Sequence, residues 1–237
     1  MGILEIAGFQ LTPDPRSWRV RSLFFMALFP VILAAQAPLE PPYNPAPDSV
    51  AARLLVDMGS LDSTLVIETR YATSNNFTGA VLPGYHANRI YLRREAAEAL
   101  VRVQQRLRSG GMGLKLFDGY RPVRATVGMM DWARRTGREQ LFADGYIASK
   151  SRHNLGLAID LTLVDLSMGG REVDTGTAYD TLNETAHWAN ATGRVLRYRQ
   201  LLRRVMEAEG FEQYENEWWH YSFAVPGETP AFDFEVR

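Results

Sequence analysis

The stretch Ser151-Arg-His-Asn-Leu-Gly-Leu-Ala-Ile-Asp-Leu-Thr-Leu-Val164 leads from a polar segment into the clearest strand pattern of the chain. Large aliphatic side chains occupy every second position from Leu155 to Leu163, and this period of two predicts a strand whose apolar face lies in the core. Asp160 falls on the opposite face, among small neighbours. A carboxylate there faces solvent or lines a cavity, so the pattern predicts a core strand that carries one acid.

Three helices and two further strand segments are predicted around this strand. The second helix starts at Pro122, whose missing N–H is not needed in a first turn. Because strands and helices mix without strict β-α-β alternation, the predicted fold class is α+β, a single domain with a mostly antiparallel sheet flanked by helices. The predicted helices are Arg93–Ser109, 122–136 and 194–209, and the predicted strands are Gly113–Phe117 and a hairpin or closing strand over Phe211–Phe223.

The composition of the 237 residues is that of a globular protein, with 46% hydrophobic and 22% charged residues. A formal net charge of −1 argues against a general polyanion binder, so no nucleic-acid partner is expected. The chain contains no cysteine, which excludes disulfides, thiolate metal sites and cysteine nucleophiles. Any transition metal must therefore be held by carboxylates and by some of the four histidines.

The N-terminal region has the order of a secretory signal peptide: basic residues, a short apolar run and the small-x-small site Ala35-Gln-Ala37. Pro30 interrupts the run, which is shorter than the roughly 20 residues of a membrane span; an uncleaved anchor and a core helix are the alternatives. Residues 38–48 are rich in proline and predict a spacer that does not pack. We therefore expect a signal peptide (1–37), a folded domain (49–237), export to the periplasm, and no stable membrane insertion after cleavage.

Two histidines and one acid have the context of metal ligands. His153 precedes the predicted strand, and Gly156 lets the backbone bend so that its imidazole and the Asp160 carboxylate converge. His220 supplies a third candidate ligand. Each residue alone has a plainer interpretation, as a packed or surface histidine or a hydrogen-bonding acid, and the joint pattern is what favours a zinc site. The histidines interpreted as structural are His86 and His187.

Two further groups complete the candidate chemistry. Glu217 lies three residues before His220, a separation that points the two side chains to opposite faces of a regular strand. They share a site only if the strand begins or bulges between them. In that case Glu217 could act as a general base beside the metal, outside its ligand shell. Arg121, in the turn Asp118-Gly-Tyr-Arg-Pro122, could stabilise an oxyanion or simply pair with a surface acid.

At these residues the chain resembles the zinc D-alanyl-D-alanine dipeptidases, part of a wider group of zinc peptidases that includes D,D-carboxypeptidases, L,D-endopeptidases and the hedgehog signalling domain. The resemblance extends from about residue 50 to the end of the chain, and the motifs follow in the family's order. The motifs are Arg70-Tyr-Ala-Thr73, Asn76-Phe-Thr-Gly79, Gly84-Tyr85, Asn88-Arg-Ile90, Asp118-Gly-Tyr-Arg-Pro122, Ser149-Lys-Ser-Arg-His153 with Gly156 to Leu163, Glu217-Trp-Trp-His-Tyr221 and Phe232-Asp-Phe-Glu-Val-Arg237.

The resemblance implies one Zn²⁺ per chain in a central cleft, with His153, Asp160 and His220 as ligands. It implies Glu217 as the base and then the acid, and Arg121 as the group that stabilises the carbonyl and the transition state. The implied partner is a small dipeptide substrate, D-Ala-D-Ala. An acid suits the dipeptide's ammonium, and hydroxyls suit its carboxylate and amide. The substrate contacts implied in this way are Tyr71, Tyr85, Ser151 and Asp180.

Alternative functions stay open on the sequence alone. The same site could serve a D,D-carboxypeptidase or an L,D-endopeptidase that acts on longer peptidoglycan peptides. A non-catalytic zinc-binding module is disfavoured because a structural zinc would need neither Glu217 nor Arg121. The predicted export differs from the cytoplasmic, resistance-type members of the family, and it favours turnover or recycling of wall-derived dipeptide.

Overall fold

The computed structural model describes residue 41 and residues 43–237. The predicted signal peptide (1–37) lies outside the described residues, as does part of the predicted spacer. The described end of that spacer packs against the domain, contrary to the expectation, because the Ala46 N–H donates to the Ala231 carbonyl at 2.9 Å. Within the described ranges, no helix is both long and apolar enough to cross a bilayer.

The described residues form a six-stranded sheet, a two-stranded sheet and the helices that pack around them. Short 3₁₀ helices lie in the connections, at Arg70–Ala72, Arg152–Leu155, Leu166–Met168 and Glu184–Ala186. The strands are β1 (Leu55–Asp57), β2 (Val66–Ile67), β3 (Tyr91–Arg93), β4 (Met112–Asp118), β5 (Ala158–Asp165), β6 (Arg171–Glu172), β7 (Phe211–Gln213) and β8 (His220–Phe223). The helices are α1 (Asp48–Leu54), α2 (Met58–Leu61), α3 (Arg94–Ser109), α4 (Val123–Arg135), α5 (Gln140–Ala143) and α6 (Gly193–Glu207).

The larger sheet has the strand order β2-β4-β5-β8-β7, and β6 pairs with the far end of β5. β2 runs parallel to β4, whereas the other neighbouring pairs of this sheet are antiparallel. β1 and β3 form the smaller antiparallel sheet. The predicted α+β class with a mostly antiparallel sheet is therefore confirmed, and β5 lies at the centre of the sheet.

The predicted alternation of β5 is confirmed, but the strand begins at Ala158 rather than at Leu155. Residues 152–155 form a 3₁₀ turn that ends at Gly156, which has a φ of 68°. A side chain at this left-handed position would be strained, and its Cβ would lie 2.6 Å from Leu55. The turn therefore delays the strand and sets the residues before it at an angle to the sheet.

Helix α3 buries one apolar stripe along its length. Ala96, Leu100, Val103 and Leu107 are buried in the same hydrophobic cluster as the apolar face of β5. Full burial of each large aliphatic side chain contributes about 1.5–3 kcal/mol, so this stripe anchors the helix to the sheet. The helix ends at Ser109, as predicted from the two glycines that follow it.

The other predicted elements form with small shifts. Helix α4 begins at Val123, because Pro122 has an extended ψ of 142° and caps the helix instead of opening its first turn. Helix α6 ends at Glu207, two residues earlier than predicted, and buries Leu202 and Met206. The predicted closing hairpin is confirmed as β7 and β8. Three further apolar residues of α6 are half-buried, namely Val195, Tyr198 and Val205.

Candidate active site

The 3₁₀ turn before β5 fixes the position of His153. The Ser151 hydroxyl accepts a hydrogen bond from the His153 N–H at 3.2 Å, and Gly156 ends the turn. The His153 carbonyl accepts from the Arg121 N–H at 3.0 Å, which joins this turn to the Asp118–Pro122 turn. Two motifs that are some thirty residues apart in sequence are therefore adjacent in the fold.

Sheet register places the other two candidate ligands beside His153. In the β5–β8 pair Asp160 lies directly opposite His220. Nδ1 of His220 is 3.0 Å from Oδ1 of Asp160 and 3.1 Å from Nε2 of His153. Nε2 of His153 is 3.4 Å from Oδ1 of Asp160. The three side chains therefore converge on one point.

The donor atoms of this cluster fit a metal ion. His153, Asp160 and His220 each offer one ligand atom, and these atoms all lie within 4.8 Å of one another. Nδ1 of His153 is 2.6 Å from the Gly119 carbonyl oxygen, an acceptor, so Nδ1 carries the proton and the lone pair is on Nε2, facing the cluster. Such a hydrogen bond to the second ring nitrogen is the usual support of a ligating histidine. Two imidazoles and a carboxylate suit Zn²⁺.

Glu217 and His220 reach the same site because β8 begins at His220. The His220 N–H donates to the Glu217 carbonyl at 3.1 Å, so the two residues are joined by a turn rather than by extended strand. Oε2 of Glu217 is 3.9 Å from Nδ1 of His220. Burial raises the pKa of the Glu217 carboxyl well above its usual range, and Asp160 and Asp180 add to the shift. Raised carboxyl pKa values of this kind are typical of groups that transfer protons in active sites.

Arg121 is held in place by a buried acid. Its Nε and one terminal nitrogen are 3.0 Å and 2.9 Å from Oδ2 of Asp118, which is fully buried. The Tyr85 hydroxyl donates to the other Asp118 oxygen at 2.6 Å. The guanidinium carbon lies 5.1 Å from the centre of the Tyr71 ring, a cation–π distance. Arg121 is therefore paired with an interior acid, and not with a surface acid, and its other terminal nitrogen donates to the Met129 sulfur at 3.4 Å.

A cavity of about 260 Å³ lies over the cluster. Its lining includes all three candidate ligands together with Glu217 and Arg121. This volume is below the ~300–1,000 Å³ typical of pockets for drug-sized ligands. The cavity therefore suits a small substrate.

Asp180 lines the cavity in a strained and unsatisfied state. Its φ is 64°, a left-handed conformation that costs a non-glycine residue energy. One oxygen, Oδ2, is buried without a hydrogen-bond partner among the described residues. Burial raises the pKa of Asp180 to about 7. An unpaired carboxylate buried at a cavity wall is a binding position for a cation.

The other three predicted substrate contacts differ in where they lie. Tyr71 lines the cavity and donates its hydroxyl proton to Oδ1 of Asp180 at 3.0 Å. Ser151 also lines the cavity, and its oxygen accepts from the His153 N–H, while its hydroxyl proton has no acceptor among the described residues. Tyr85 is not among the lining residues, because its hydroxyl is directed at Asp118 behind Arg121. The structure therefore brings two of these three contacts to the cavity.

Sequence reasoning missed two residues that support the site. Asp118 was quoted within a motif, yet the register that sets it opposite Asp160 is a property of the β4–β5 pair. Tyr179 was not singled out, and its hydroxyl lies 3.0 Å from Oδ2 of Asp160. Its position directly before Asp180 is the one signal in the sequence that could have drawn attention to it.

The chain matches the peptidase M15 family model, described as D-Ala-D-Ala dipeptidase, over residues 52–234. It belongs to this family. The match includes every residue placed at the candidate site and confirms the resemblance on which the site assignments depend.

Relatives in this family resemble the chain over most of their length. The D-alanyl-D-alanine dipeptidase of Enterococcus faecium is 40% identical over 187 residues, covering 72% of this chain and 92% of that protein. The D-alanyl-D-alanine dipeptidase of Streptomyces coelicolor is 36% identical, covering 71% and 91%, and that of Escherichia coli is 32% identical, covering 74% and 88%. A solved structure of the LD-carboxypeptidase LdcB overlaps with a TM-score of 0.39 at 22% identity, covering 56% of this chain and 59% of that chain.

Proposed function

We propose that the protein is a zinc-dependent dipeptidase that hydrolyses D-alanyl-D-alanine. The observation that carries the proposal is that one small cavity joins a cluster of three metal-ligand atoms to the unpaired carboxylate of Asp180. A dipeptide has a free ammonium next to its scissile bond, and this cavity offers an acid for that ammonium. The family membership of the chain supports the same substrate.

His153, Asp160 and His220 would hold one zinc ion per chain. A bound zinc ion supplies a Lewis acid that polarises the substrate carbonyl and lowers the pKa of water. Burial lowers the pKa of His220, so that its imidazole stays neutral and available as a ligand.

Glu217 moves the proton in the reaction. It takes a proton from the water that attacks the peptide carbonyl and returns that proton to the nitrogen of the leaving amino acid as the C–N bond breaks. The pKa of its carboxyl is raised by burial, which suits a group that must both accept and donate within one cycle. The products are two molecules of D-alanine, and the water supplies the atoms of their new carboxylate and amine.

Arg121 stabilises the negative charge that develops on the carbonyl oxygen. A preorganised donor aimed at such an oxyanion typically contributes a factor of about 10²–10³ in rate. The buried Asp118 carboxylate fixes the guanidinium through two contacts of 3.0 Å or less. The donor therefore requires little reorganisation when charge appears.

The two ends of the dipeptide have separate recognition groups in this proposal. Asp180 binds the ammonium through its unpaired Oδ2, and Tyr71 holds the other oxygen of that carboxylate. Ser151 donates its free hydroxyl proton to the carboxylate or amide of the substrate. Tyr85 acts indirectly, by fixing Asp118 and through it Arg121.

The N-terminal region adds a proposal about location. Cleavage after Ala37 would release a chain that begins at Pro38 into the periplasm, where wall-derived dipeptide would be trimmed or recycled without stable membrane insertion. Expression of the full sequence in a Gram-negative host, followed by fractionation and N-terminal sequencing, tests this. A full-length chain retained in the cytoplasm would contradict it.

A substrate panel tests the proposed reaction. Purified zinc-loaded protein is given D-Ala-D-Ala, L-Ala-L-Ala and N-acetyl-D-Ala-D-Ala, and release of free amino acid is measured. We expect hydrolysis of D-Ala-D-Ala alone, since an acetyl group removes the ammonium that Asp180 binds. Preferential cleavage of the acetylated peptide would instead support a D,D-carboxypeptidase, and zinc binding without hydrolysis of any peptide would support a non-catalytic module.

A further inference from the structure

Tyr179 connects the metal-ligand cluster to the Asp180 carboxylate. Its hydroxyl oxygen is 3.0 Å from Oδ2 of Asp160 and 3.0 Å from the hydroxyl oxygen of Tyr71. Tyr71 is in turn 3.0 Å from Oδ1 of Asp180. Two tyrosines therefore form a continuous chain of hydrogen bonds between a candidate metal ligand and the candidate ammonium site.

The Tyr179 ring is held independently of its hydroxyl. It stacks on Phe117 with ring centres 4.6 Å apart and an interplanar angle of 24°, and it meets the edge of Trp219 at 5.4 Å. The residue is 7% exposed. Removal of the hydroxyl alone should therefore leave the ring, and the fold around it, in place.

The two oxygens of Asp160 have different partners. Oδ1 faces the imidazoles, at 3.0 Å from His220 and 3.4 Å from His153. Oδ2 faces Tyr179, with Arg121 farther away at 3.9 Å. A hydrogen bond from Tyr179 to Oδ2 therefore holds the carboxylate in the rotation that presents Oδ1 to the metal position.

The number of available protons decides which group donates in each of these hydrogen bonds. Three contacts link Asp160, Tyr179, Tyr71 and Asp180, and when the Asp180 carboxylate is ionised the two hydroxyls supply two protons for them. When Tyr71 donates to Asp180, the Tyr179 proton is divided between Tyr71 and Asp160. If the Tyr71 hydroxyl turns away from Asp180, it can donate to the Tyr179 oxygen, and Tyr179 then donates to Asp160. If the Tyr71 hydroxyl is deleted, Tyr179 loses the acceptor that competes with Asp160 for its proton.

We infer that Tyr179 is a positioning residue for the metal ligand Asp160, and that Tyr71 competes for its proton. This inference deepens the proposed function, because it assumes that Asp160 ligates the metal. Partners that orient a ligand typically change metal affinity or activity by about 10–100-fold when they are removed. Tyr179 therefore supports metal binding, whereas Tyr71 weakens that support, although both lie in one series of hydrogen bonds.

The test compares zinc dissociation constants, measured by competition with a chelating indicator, for three Tyr→Phe variants. Tyr179→Phe should weaken zinc binding about 10–100-fold. Tyr71→Phe should weaken dipeptide binding, seen as a raised KM, but leave zinc affinity undiminished. Tyr221→Phe is the matched control, since Tyr221 is a buried tyrosine next to His220 whose hydroxyl has no partner among the described residues. Its zinc affinity should equal that of the wild type.

Two further measurements separate positioning from general damage. The circular-dichroism spectrum of metal-free Tyr179→Phe should match that of the metal-free wild type, because the ring stays packed on Phe117 and Trp219, and excess zinc should restore most of its kcat. An unchanged zinc affinity in Tyr179→Phe, or an equal loss in all three variants, would overturn the inference. Failure of the zinc-loaded wild type to cleave any dipeptide would overturn the proposed function, while the zinc titrations would still decide the role of Tyr179.

Discussion

The cavity has two walls that are built in different ways. The sheet wall consists of His153, Asp160 and His220, which are set by strand register and by a capped turn. The loop wall consists of Asp180 and Tyr71, which lie in connecting segments. Polar atoms of the sheet wall are engaged with one another, whereas Asp180 has a left-handed backbone and an unpaired buried oxygen.

The two constructions suit two different ligands, a metal ion at the sheet wall and the substrate at the loop wall. Hydrogen bonds between the strands and within the capped turn fix the positions of the sheet-wall side chains, so the sheet wall can keep three ligand atoms together without a bound metal. A strained residue with an unsatisfied oxygen is costly, and such strain persists where a bound ligand makes use of it. We therefore expect substitutions in the sheet wall to act on metal and catalysis, and substitutions in the loop wall to act on substrate binding and stability.

The largest effect is expected from loss of a sheet-wall ligand. His220→Ala should abolish both bound zinc and hydrolysis, because two donor atoms hold the ion poorly where three are needed. Metal content by mass spectrometry and dipeptide turnover are measured together. His86→Ala is the control, as this histidine is 54% exposed and lies away from the cluster. Full zinc occupancy in His220→Ala would remove His220 from the ligand set.

Glu217→Gln, next to the sheet wall, should remove the proton transfer but keep the metal. The amide keeps the size of the side chain but cannot take a proton, so kcat should fall by about 10²–10⁴. Zinc content should stay at one per chain, because Glu217 is not a ligand in the proposal. Glu215→Gln, at an exposed glutamate in the same turn region, is the matched control. A Glu217→Gln enzyme with normal kcat would show that another group moves the proton.

Arg121→Lys should lower kcat by about 10²-fold while the zinc content is retained. Lysine keeps the positive charge beside Asp118, but it cannot reproduce the forked geometry that reaches both Asp118 and the oxyanion. Arg124→Lys, at a partly exposed arginine that pairs with Asp233, serves as the control. Equal kcat values in the two variants would exclude Arg121 from transition-state stabilisation.

In the loop wall, Asp180→Asn should raise the KM for D-Ala-D-Ala by about 10–100-fold, since a hydrogen bond to a charged group contributes about 1.5–3 kcal/mol. Zinc affinity should be retained, in contrast to His220→Ala. Steady-state kinetics on the dipeptide, with zinc titration in parallel, check both statements. Loss of zinc together with a normal KM would reverse the assignment of the two walls.

The smallest expected effect is a gain in stability from the same substitution. The folded-state pKa of Asp180 is raised to about 7, above that of the unfolded chain, so the folded protein binds the extra proton and loses stability as the pH rises from about 4 to 7. Asp180→Asn cannot ionise, so its advantage over the wild type should grow across this range, with a ceiling of about 1.4 kcal/mol for each unit by which folding raises the pKa. Urea unfolding of the metal-free proteins at pH 5 and pH 8 measures it. A pH-independent difference would contradict the raised pKa.

Sequence reasoning predicted the elements that have strong local signals. The alternation around Asp160 and the apolar stripe of α3 placed the core correctly because side-chain periodicity is a local property. The predicted start of β5 was wrong by three residues, because a turn capped by Ser151 replaces the first part of the predicted strand. Whether Glu217 could share a site with His220 stayed open in the sequence, and the beginning of β8 at His220 resolved it.

The chemical types available at the site, and their order along the chain, follow from the amino-acid sequence alone. A chain without cysteine and with four histidines offers an N/O donor set for a metal, and the motif order identified the family. Two features depend on the tertiary structure. One is the strand register that sets Asp160 beside His220. The other is the packing that places the Tyr179 hydroxyl between Asp160 and Tyr71. These contacts join residues that are distant in the chain, and their energies depend on distance and burial, which no local pattern encodes.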